Sequence, residues 1–223
     1  YDDKISNRTK AELLEYLEKE TLFKTTKLMK DNILKSRSES IKGFFKFIFS
    51  SNTNIKTHFT YYGRTKLKVL MNKIFLEFLT KYRGRFYEKN SIKTIKKGTK
   101  FVFYPFSIDM EASLLMWAPF YTNQLALVKN IASSLPIGYD LYVKEHPFSY
   151  TRAWRNISFY KELLNLPNVK LISTELNPRE IIKNSSLVIG ITSTAVMEAA
   201  FYGKPSIIFQ DNLFSDLSSV FRI

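Results

Sequence analysis

The sequence of 223 residues contains no cysteine. This absence excludes a catalytic thiol and a structural zinc site of the cysteine type. There is no signal-peptide pattern, and no apolar run reaches the roughly 18 residues that a membrane-spanning helix requires. The densest apolar segment, residues 44–49, is short and contains Lys46. We therefore expect a cytoplasmic protein that does not cross a membrane but can lie on its inner face.

Acidic residues are too few in the first half of the chain to balance the basic ones. Residues 1–100 contain 24 Lys and Arg against 10 Asp and Glu, whereas residues 101–223 contain 10 of each kind, so the net charge of +14 lies in the first half. Such an asymmetry indicates an anionic partner, either nucleic acid or a membrane surface. Because no segment matches a known nucleic-acid-binding motif, we expect no nucleic acid partner and favour anionic lipid.

The first half reads as mainly helical. Residues 9–30 fit one or two amphipathic helices, residues 41–49 carry an aromatic stripe, and residues 67–82 show the clearest amphipathic pattern. The other face of 67–82 is basic, as in helices that lie on anionic lipid. The same pattern fits a helix that packs its apolar face on a neighbouring domain. We predict a basic, mainly helical segment over residues 1–99.

Residues 100–223 alternate short apolar runs with helical patterns, which is typical of β-α units. This alternation predicts an α/β domain with a Rossmann-like parallel sheet. The chain ends within a predicted strand, which is the pattern expected of a domain that is truncated at its C-terminus. The predicted strands are 101–104, 140–143, 169–172, 187–191, 206–209 and 220–223, and the predicted helices are 123–135, 158–166, 178–183 and 195–202.

The segment 184–210 contains the first candidate binding site. A buried strand is followed by Thr192, Ser193 and Thr194, after which a helix begins. A helix N-terminus at the carboxyl end of a parallel strand offers unpaired N–H groups to an anion. Glu198, one turn into the helix, can accept hydrogen bonds from the hydroxyl groups of a sugar or ribose. The alternative is that the three hydroxyl residues only cap the helix and that Glu198 is solvated.

A second candidate cluster follows the strand 140–143. The chain has two histidines, and one of them, His146, closes this strand and precedes Pro147. Because Pro147 ends the strand, it helps to direct the imidazole outward, where it can donate to a phosphate oxygen or carry a proton. The alternative is a histidine that bonds a backbone carbonyl. Arg152 and Arg155, in the following loop, can face an anion or be ordinary surface charges.

The loop after the first strand of this domain contains two acids, Asp109 and Glu111. The carboxyl end of a strand is where ligand-binding acids lie in open α/β sheets. These two acids do not form a DxD-like pair and show no clear metal-binding spacing. We therefore expect no essential metal ion and no cofactor.

The order of these motifs resembles that of the capsular polysaccharide biosynthesis glycosyltransferases of the GT-B type. The matching segments are a strand and loop with Pro105 and Glu111, then GYDLYVKEHP, NVKLIS and SSLVIGITSTAVMEAAFYGKPSIIF. This family is similar to the bacterial Kdo transferases and sialyltransferases that use CMP-activated sugars. The resemblance covers roughly residues 100–210 and implies the C-terminal, nucleotide-binding half of a GT-B fold.

The resemblance also implies roles for individual residues. An HP motif and a Ser/Thr motif flank the donor phosphates in that family, and an acid lies near the donor ribose or sugar. Glu111 would face the inter-domain cleft. The implied catalytic residues are Glu111 and His146, and the implied donor-binding residues are His146 and Pro147 of the HP motif, Thr192, Ser193 and Thr194 of the Ser/Thr turn, and the acid Glu198.

One departure from the family concerns residues 1–100, which do not show the β-α repeats of a second Rossmann-like domain. Either the acceptor domain lies outside this sequence or helices replace it, so the catalytic base is not assigned. We expect transfer of a sugar from a nucleotide donor, with a CMP-sugar favoured over a UDP-sugar, to a glycan or lipid-linked acceptor. Two alternatives stay open, namely a CDP-glycerol or CDP-ribitol phosphotransferase and a non-catalytic membrane-anchoring protein with a vestigial site.

Overall fold

The structure, a computed structural model, describes residues 12, 37–49, 66–96, 98–109, 111–146, 149, 154–211 and 215–223. The chain divides into two compact units, residues 1–74 and 75–223. Apart from Glu12, the predicted helix over 9–30 lies outside the described residues. The predicted division of the chain at residue 100 stays a prediction.

The second unit is built on a six-stranded sheet in which all neighbouring strands run parallel. The strand order across the sheet is β3-β2-β1-β4-β5-β6, which is the order of the Rossmann fold. The predicted fold class is therefore confirmed. The strands are β1 Phe101–Pro105, β2 Asp140–Lys144, β3 Val169–Ile172, β4 Leu187–Gly190, β5 Ser206–Ile208 and β6 Val220–Arg222.

Burial on both faces of the sheet explains why uninterrupted apolar runs form its strands. In β1, Phe101, Val102, Phe103 and Tyr104 are all buried. Val102 and Tyr104 belong to one apolar cluster and Phe101 and Phe103 to another, because successive side chains of a strand point to opposite faces. Because both faces of β1 are covered, the alternating pattern of a half-exposed strand is absent here.

The four helices predicted in the second half of the chain begin and end within two residues of the predicted bounds, and a short helix at Ala112–Leu115 was not predicted. Buried apolar residues of Gln124–Ser134 and Ile157–Leu164 belong to the cluster of Val102, and Ile181, Ile182, Ala195 and Ala199 belong to the cluster of Phe101, so helices cover both faces of the sheet. The helices are α1 Arg37–Phe49, α2 Lys66–Lys89, α3 Ala112–Leu115, α4 Gln124–Ser134, α5 Ile157–Leu164, α6 Pro178–Asn184 and α7 Ala195–Phe201, with a 3-10 turn at Pro119–Tyr121.

Local sequence determines where two of these helices begin or end. The side chain of Asn177 accepts a hydrogen bond from Arg179 N at 3.0 Å, and Pro178 occupies the first position of α6. Beyond α7, Gly203 has a φ of +64°, a conformation that costs glycine little. The N–H groups of Gly203 and Lys204 donate to carbonyls of the last turn of α7 at 3.0 and 2.9 Å, which is a Schellman motif.

In the first unit, α1 carries the predicted aromatic stripe on its surface. Ile41, Phe45 and Phe49 are 57%, 52% and 81% exposed, and the rings of Phe45 and Phe49 stack with centroids 6.4 Å apart. Lys42 and Lys46 are exposed on the same helix. Within the part of the chain that the structure describes, no helix combines the length and the hydropathy needed to span a membrane.

The last turns of α2 pack against the sheet of the second unit. Tyr87 is fully buried, and its hydroxyl donates to Ile172 O at 2.7 Å and accepts from Glu145 N at 3.0 Å. Ile92, just beyond the helix, forms a parallel bridge with Ile172. The two hydrogen bonds join residues that are 85 and 58 positions apart in the sequence, so the end of α2 is held by long-range contacts.

Removing the Tyr87 hydroxyl therefore tests how far the sheet depends on α2. The Tyr87→Phe variant leaves a buried carbonyl and a buried N–H without this partner, and we expect its free energy of unfolding to fall by about 1–3 kcal/mol. Urea-induced unfolding measures the change. Tyr82→Phe is the matched control on the same helix, because Tyr82 is 55% exposed. Equal stability of the two variants would contradict the prediction.

Candidate functional site

The strand order identifies where a ligand crevice lies in this sheet. From β1 the chain crosses to β2 and β3 on one side, and it then returns to β4 on the other side of β1. Open α/β sheets bind ligands at the carboxyl ends of the strands where the order reverses, which is between β1 and β4. The loops that follow these two strands are the segment after Pro105, which includes Glu111, and the turn 191–194.

The end of α2 covers the carboxyl ends of β2 and β3, on the other side of β1 from β4. The carboxylate of Glu88 accepts hydrogen bonds from Ser173 Oγ at 2.6 Å, Thr174 N at 3.1 Å and Thr174 Oγ1 at 2.5 Å. Together with Tyr87, these contacts fix α2 over the ends of β2 and β3. The candidate crevice between β1 and β4 is thus adjacent to the end of α2, which belongs to the basic half of the chain.

Lys144, the last residue of β2, is buried beside Thr174. It is only 3% exposed, and its Nζ donates to Thr174 O at 3.0 Å. Burial lowers the pKa of Lys144 to about 8, although the nearby Glu88 carboxylate partly offsets the effect. A charged amine is therefore held inside the fold at neutral pH at a cost in stability.

The turn after β4 is tight and polar. Ser193 Oγ accepts a hydrogen bond from Ala195 N at 3.2 Å, so Ser193 provides the side-chain contact at the start of α7. Thr194 occupies the N-cap position without a side-chain capping bond and is exposed, and Thr192 is half-buried. Ser193 thus serves the start of the helix, as the alternative expects, and a ligand-binding role for Thr192 and Thr194 stays a prediction.

Gly190 lies directly before this turn and approaches it closely. A Cβ atom on Gly190 would lie 3.1 Å from Ser193 Cβ and 3.1 Å from Val196 Cγ2. A larger residue at this position would therefore require these neighbours to shift by a few tenths of an ångström. The hydroxyl residues follow the carboxyl end of β4, at the reversal of strand order where open α/β sheets bind ligands.

Glu198 lies in the first turn of α7 and is half-buried. Burial raises the pKa of Glu198, and Arg179 partly opposes the shift. The alternative of a fully solvated Glu198 therefore does not hold.

His146 follows β2 and is half-buried, and its carbonyl oxygen accepts from Ser149 N at 2.9 Å. Pro147 and Arg152 lie outside the described residues. Because β2 and β4 flank β1, the ends of these two strands are two strand spacings apart, or roughly 10 Å. Convergence of the His146 side chain and the Thr194 amide on one phosphate stays a prediction.

The loop after β1 is held by Gln124. Its amide nitrogen donates to Ser107 O at 2.9 Å and Asp109 Oδ1 at 2.7 Å, and its amide oxygen accepts from Ser107 N at 2.9 Å. Gln124 is 2% exposed, so these bonds are shielded from water. Glu111 lies beyond this clamp, directly before α3, and is exposed at the edge of the crevice.

Arg155 contacts the loop after β1, and the sequence left open whether it faces an anion or is an ordinary surface charge. Its Nη1 pairs with Glu145 Oε1 at 2.5 Å, and its Nη2 pairs with Asp109 Oδ1 at 2.6 Å and donates to Ser107 O at 2.8 Å. The side chain is 11% exposed, which corrects the interpretation of Arg155 as an ordinary surface charge. Burial alone would lower the pKa of Arg155, but the carboxylates of Glu145 and Asp109 outweigh it and raise that pKa.

A cleft of about 510 Å³ lies on the outer side of this arginine. Asp109 of the loop after β1 and Arg155 line it, whereas Glu111, His146, Thr192, Ser193, Thr194 and Glu198 do not. Among the described residues, no group of three or more His, Asp or Glu side chains is arranged to hold a metal ion. The cleft is lined by Arg83, Asp109, Leu125, Trp154, Arg155, Asn156, Ser158, Phe159 and Glu162.

A family of capsule polysaccharide biosynthesis proteins matches this chain over residues 15–216. No curated protein matches it. The match includes all the segments on which the resemblance in the sequence rests.

Solved structures also match, and the chain spans less than half the length of each one named below. KpsC of Thermosulfurimonas dismutans, a β-Kdo 2,7 transferase, is 18% identical over 66% of this chain and 46% of that one, with a TM-score of 0.46. Its β-Kdo 2,4 transferase is 16% identical over 66% and 48%, with a TM-score of 0.43. A UDP-GlcNAc 2-epimerase of Methanocaldococcus jannaschii is 13% identical over 63% and 37%, with a TM-score of 0.36.

The buried Lys144 predicts an unusual dependence of stability on pH. Because the pKa of Lys144 falls from 10.5 to about 8 on folding, the unfolded chain binds more protons between these pH values. The stability of the wild type relative to Lys144→Met should therefore rise with pH through this window, by up to about 3 kcal/mol. Urea-induced unfolding of both proteins at several pH values measures the difference, and a difference independent of pH would contradict the prediction.

Proposed function

The chain belongs to the capsule polysaccharide biosynthesis protein family, and on this premise we propose that it is a glycosyltransferase of surface-polysaccharide assembly. It transfers a sugar from a nucleotide-activated donor, preferably a CMP-sugar, to a glycan or lipid-linked acceptor. The observation that carries the proposal is the polar Ser/Thr turn at the reversal of strand order. Open α/β sheets bind ligands in the crevice at this point.

The chemistry of the donor explains the polar groups at this edge. When an acceptor hydroxyl attacks the anomeric carbon, the bond from that carbon to the phosphate oxygen breaks and the nucleotide leaves as an anion. Preorganised donors aimed at the leaving phosphate stabilise the charge that develops there. In the proposal, the hydroxyl groups of Thr192 and Thr194, the backbone N–H groups at the start of α7, and His146 with Pro147 supply this stabilisation.

Two carboxyl groups have different roles in the proposal. Glu198 has a raised pKa and is partly buried, which suits hydrogen bonding to the hydroxyl groups of the donor ribose or sugar. Glu111 is exposed in the loop after β1, and in the proposal it takes the proton from an acceptor hydroxyl. The proposed reaction requires no metal ion and no cofactor.

The nature of the donor distinguishes this proposal from its nearest alternative. A CDP-glycerol or CDP-ribitol phosphotransferase would bind a similar anion at the same edge and would also release CMP, because its acceptor attacks the distal phosphorus of the donor. Turnover of the donor therefore separates the two, and calorimetric titration with CMP, CDP and UDP tests which nucleotide binds. Binding of CMP, together with slow hydrolysis of a CMP-sugar but not of CDP-glycerol, supports the proposal. No binding of any of the three, and no turnover, would indicate a vestigial site.

Substitution of His146 tests the donor site directly. The His146→Ala variant loses a hydrogen bond to a charged phosphate, and CMP affinity should fall by about 1–3 kcal/mol, or about 5- to 150-fold. The chain's other histidine gives the control variant His58→Ala, for which calorimetry should give the affinity of the wild type. Unchanged affinity of His146→Ala would remove His146 from the proposed site.

The proposal also places the protein on the anionic cytoplasmic face of a membrane, where a lipid-linked acceptor lies. Its support is the net charge of +14 in residues 1–100 together with apolar side chains exposed on the helices of that half. Phe49 of α1 is 81% exposed, and Leu67 and Phe78 of α2 are 67% and 64% exposed. Lysine and arginine residues near an anionic bilayer each add about 1 kcal/mol of attraction.

Binding to vesicles tests this part of the proposal. We expect co-sedimentation with vesicles that contain anionic lipid, and loss of binding near 1 M salt, because screening shortens the range of the charges to about 3 Å. The double variant Phe45→Ser/Phe49→Ser should bind more weakly at low salt. The control is Phe221→Ser, since Phe221 is 58% exposed but lies in the neutral half. Equal binding to neutral vesicles, or none to either kind, would contradict the proposal.

A further inference from the structure

We propose that Glu145 and Arg155 are positioning residues, which hold the loop after β1 and the loop after β2 in the arrangement that donor binding requires. Each loop carries one of the residues to which the proposed function assigns chemistry, Glu111 in the first loop and His146 in the second. The inference rests on the proposed function, because that function states why the two loops must be held in place. The arrangement itself follows from contacts among described residues.

A single guanidinium joins the two loops. On one side, Arg155 Nη1 pairs with Glu145, which stands between the end of β2 and His146. On the other side, Arg155 Nη2 bonds both Ser107 O and Asp109 Oδ1, which lie two to four residues before Glu111. A displacement of either loop must therefore break a charge-assisted hydrogen bond, the stronger class of hydrogen bond in proteins.

The surroundings of the guanidinium fix its position. Its central carbon lies 4.7 Å from the ring centroid of Phe106 and 5.2 Å from that of Phe159. Phe106 immediately follows β1, and Phe159 lies in α5, so the arginine is packed between the sheet edge and a helix. Stacking on aromatic rings and bidentate pairing are both properties of a planar guanidinium, which an ammonium group lacks.

Glu145 is anchored independently of Arg155. Its Oε1 accepts from the hydroxyl of Tyr160 at 2.7 Å, its Oε2 accepts from Ser149 Oγ at 2.9 Å, and its backbone N–H donates to Tyr87. The residue is 1% exposed. Because Glu145 is fixed to α5 and α2 by these bonds, Arg155 transmits that fixed position to the loop after β1.

The conservative variant Arg155→Lys tests the inference because it keeps the positive charge but loses the two guanidinium nitrogens that bond the two loops. One ammonium group cannot reproduce the two-sided bridge, so the loop after β1 should loosen. In the ligand-free protein we expect hydrogen exchange to increase in the peptide that contains Ser107 and Asp109. With CMP as the probe, calorimetry should show affinity reduced about tenfold, which corresponds to about 1.4 kcal/mol.

Two control variants separate positioning from general stability. Tyr160→Phe removes the bonds of this hydroxyl to Glu145 Oε1 and to the backbone N–H of Arg155. It leaves the Arg155 guanidinium linked to both loops, so it should lower the unfolding temperature without loosening the loop after β1. Lys129→Gln breaks the half-exposed pair of Lys129 with Glu162, whose atoms are 2.7 Å apart, and it should change neither the exchange nor the CMP affinity.

The outcomes also separate this inference from the proposed function. If the wild type binds no nucleotide, the proposed function fails, and hydrogen exchange still decides whether Arg155 holds the two loops. If Arg155→Lys exchanges like the wild type in the peptide of Ser107, the positioning role is refuted whatever the affinity. If the loop loosens but CMP affinity is unchanged, the pair does not position the donor site and the inference is overturned.

Discussion

The buried carboxylate of Glu145 is the constraint on which the geometry of the candidate site depends. An unpaired charge at such a depth costs several kcal/mol, so the fold must keep the partners of Glu145 in place. The partners of its carboxylate come from the segment with Ser149 and Arg155 and from Tyr160 of α5, and its backbone N–H donates to Tyr87 of α2. Satisfying one side chain thus orders the backbone that leads into His146.

Much of the fold could be predicted because its signals are local. Strands covered on both faces appear as apolar runs, as in β1 and β4, and helix ends depend on a few neighbouring residues such as Asn177 and Gly203. The strand order was not predicted from these signals. It became evident only when pairings between distant segments were known, since no short-range pattern distinguishes which strands are neighbours.

The candidate site shows the same division between local and distant information. The polar turn after β4 and the loops after β1 and β2 could be located, because polar residues directly after a buried strand are visible in the sequence. Arg155 could not be assigned, since its partners Glu145 and Asp109 lie 10 and 46 positions away and an exposed arginine has the same local pattern. The one available signal was an isolated glutamate between an apolar strand and His146, because a carboxylate in that position needs a cationic partner.

The long-range contacts of α2 have a consequence for the order in which the chain folds on the ribosome. Tyr87 precedes its partner Ile172 by 85 residues, and synthesis at about 5–20 residues per second takes about 4–17 s to cover that distance. During this interval the residues of α2 have been synthesised, but the sheet edge against which the helix packs has not. Its apolar side chains are then open to chaperones or to lipid before they meet β3, so the nascent protein passes through a stage that the finished fold does not display.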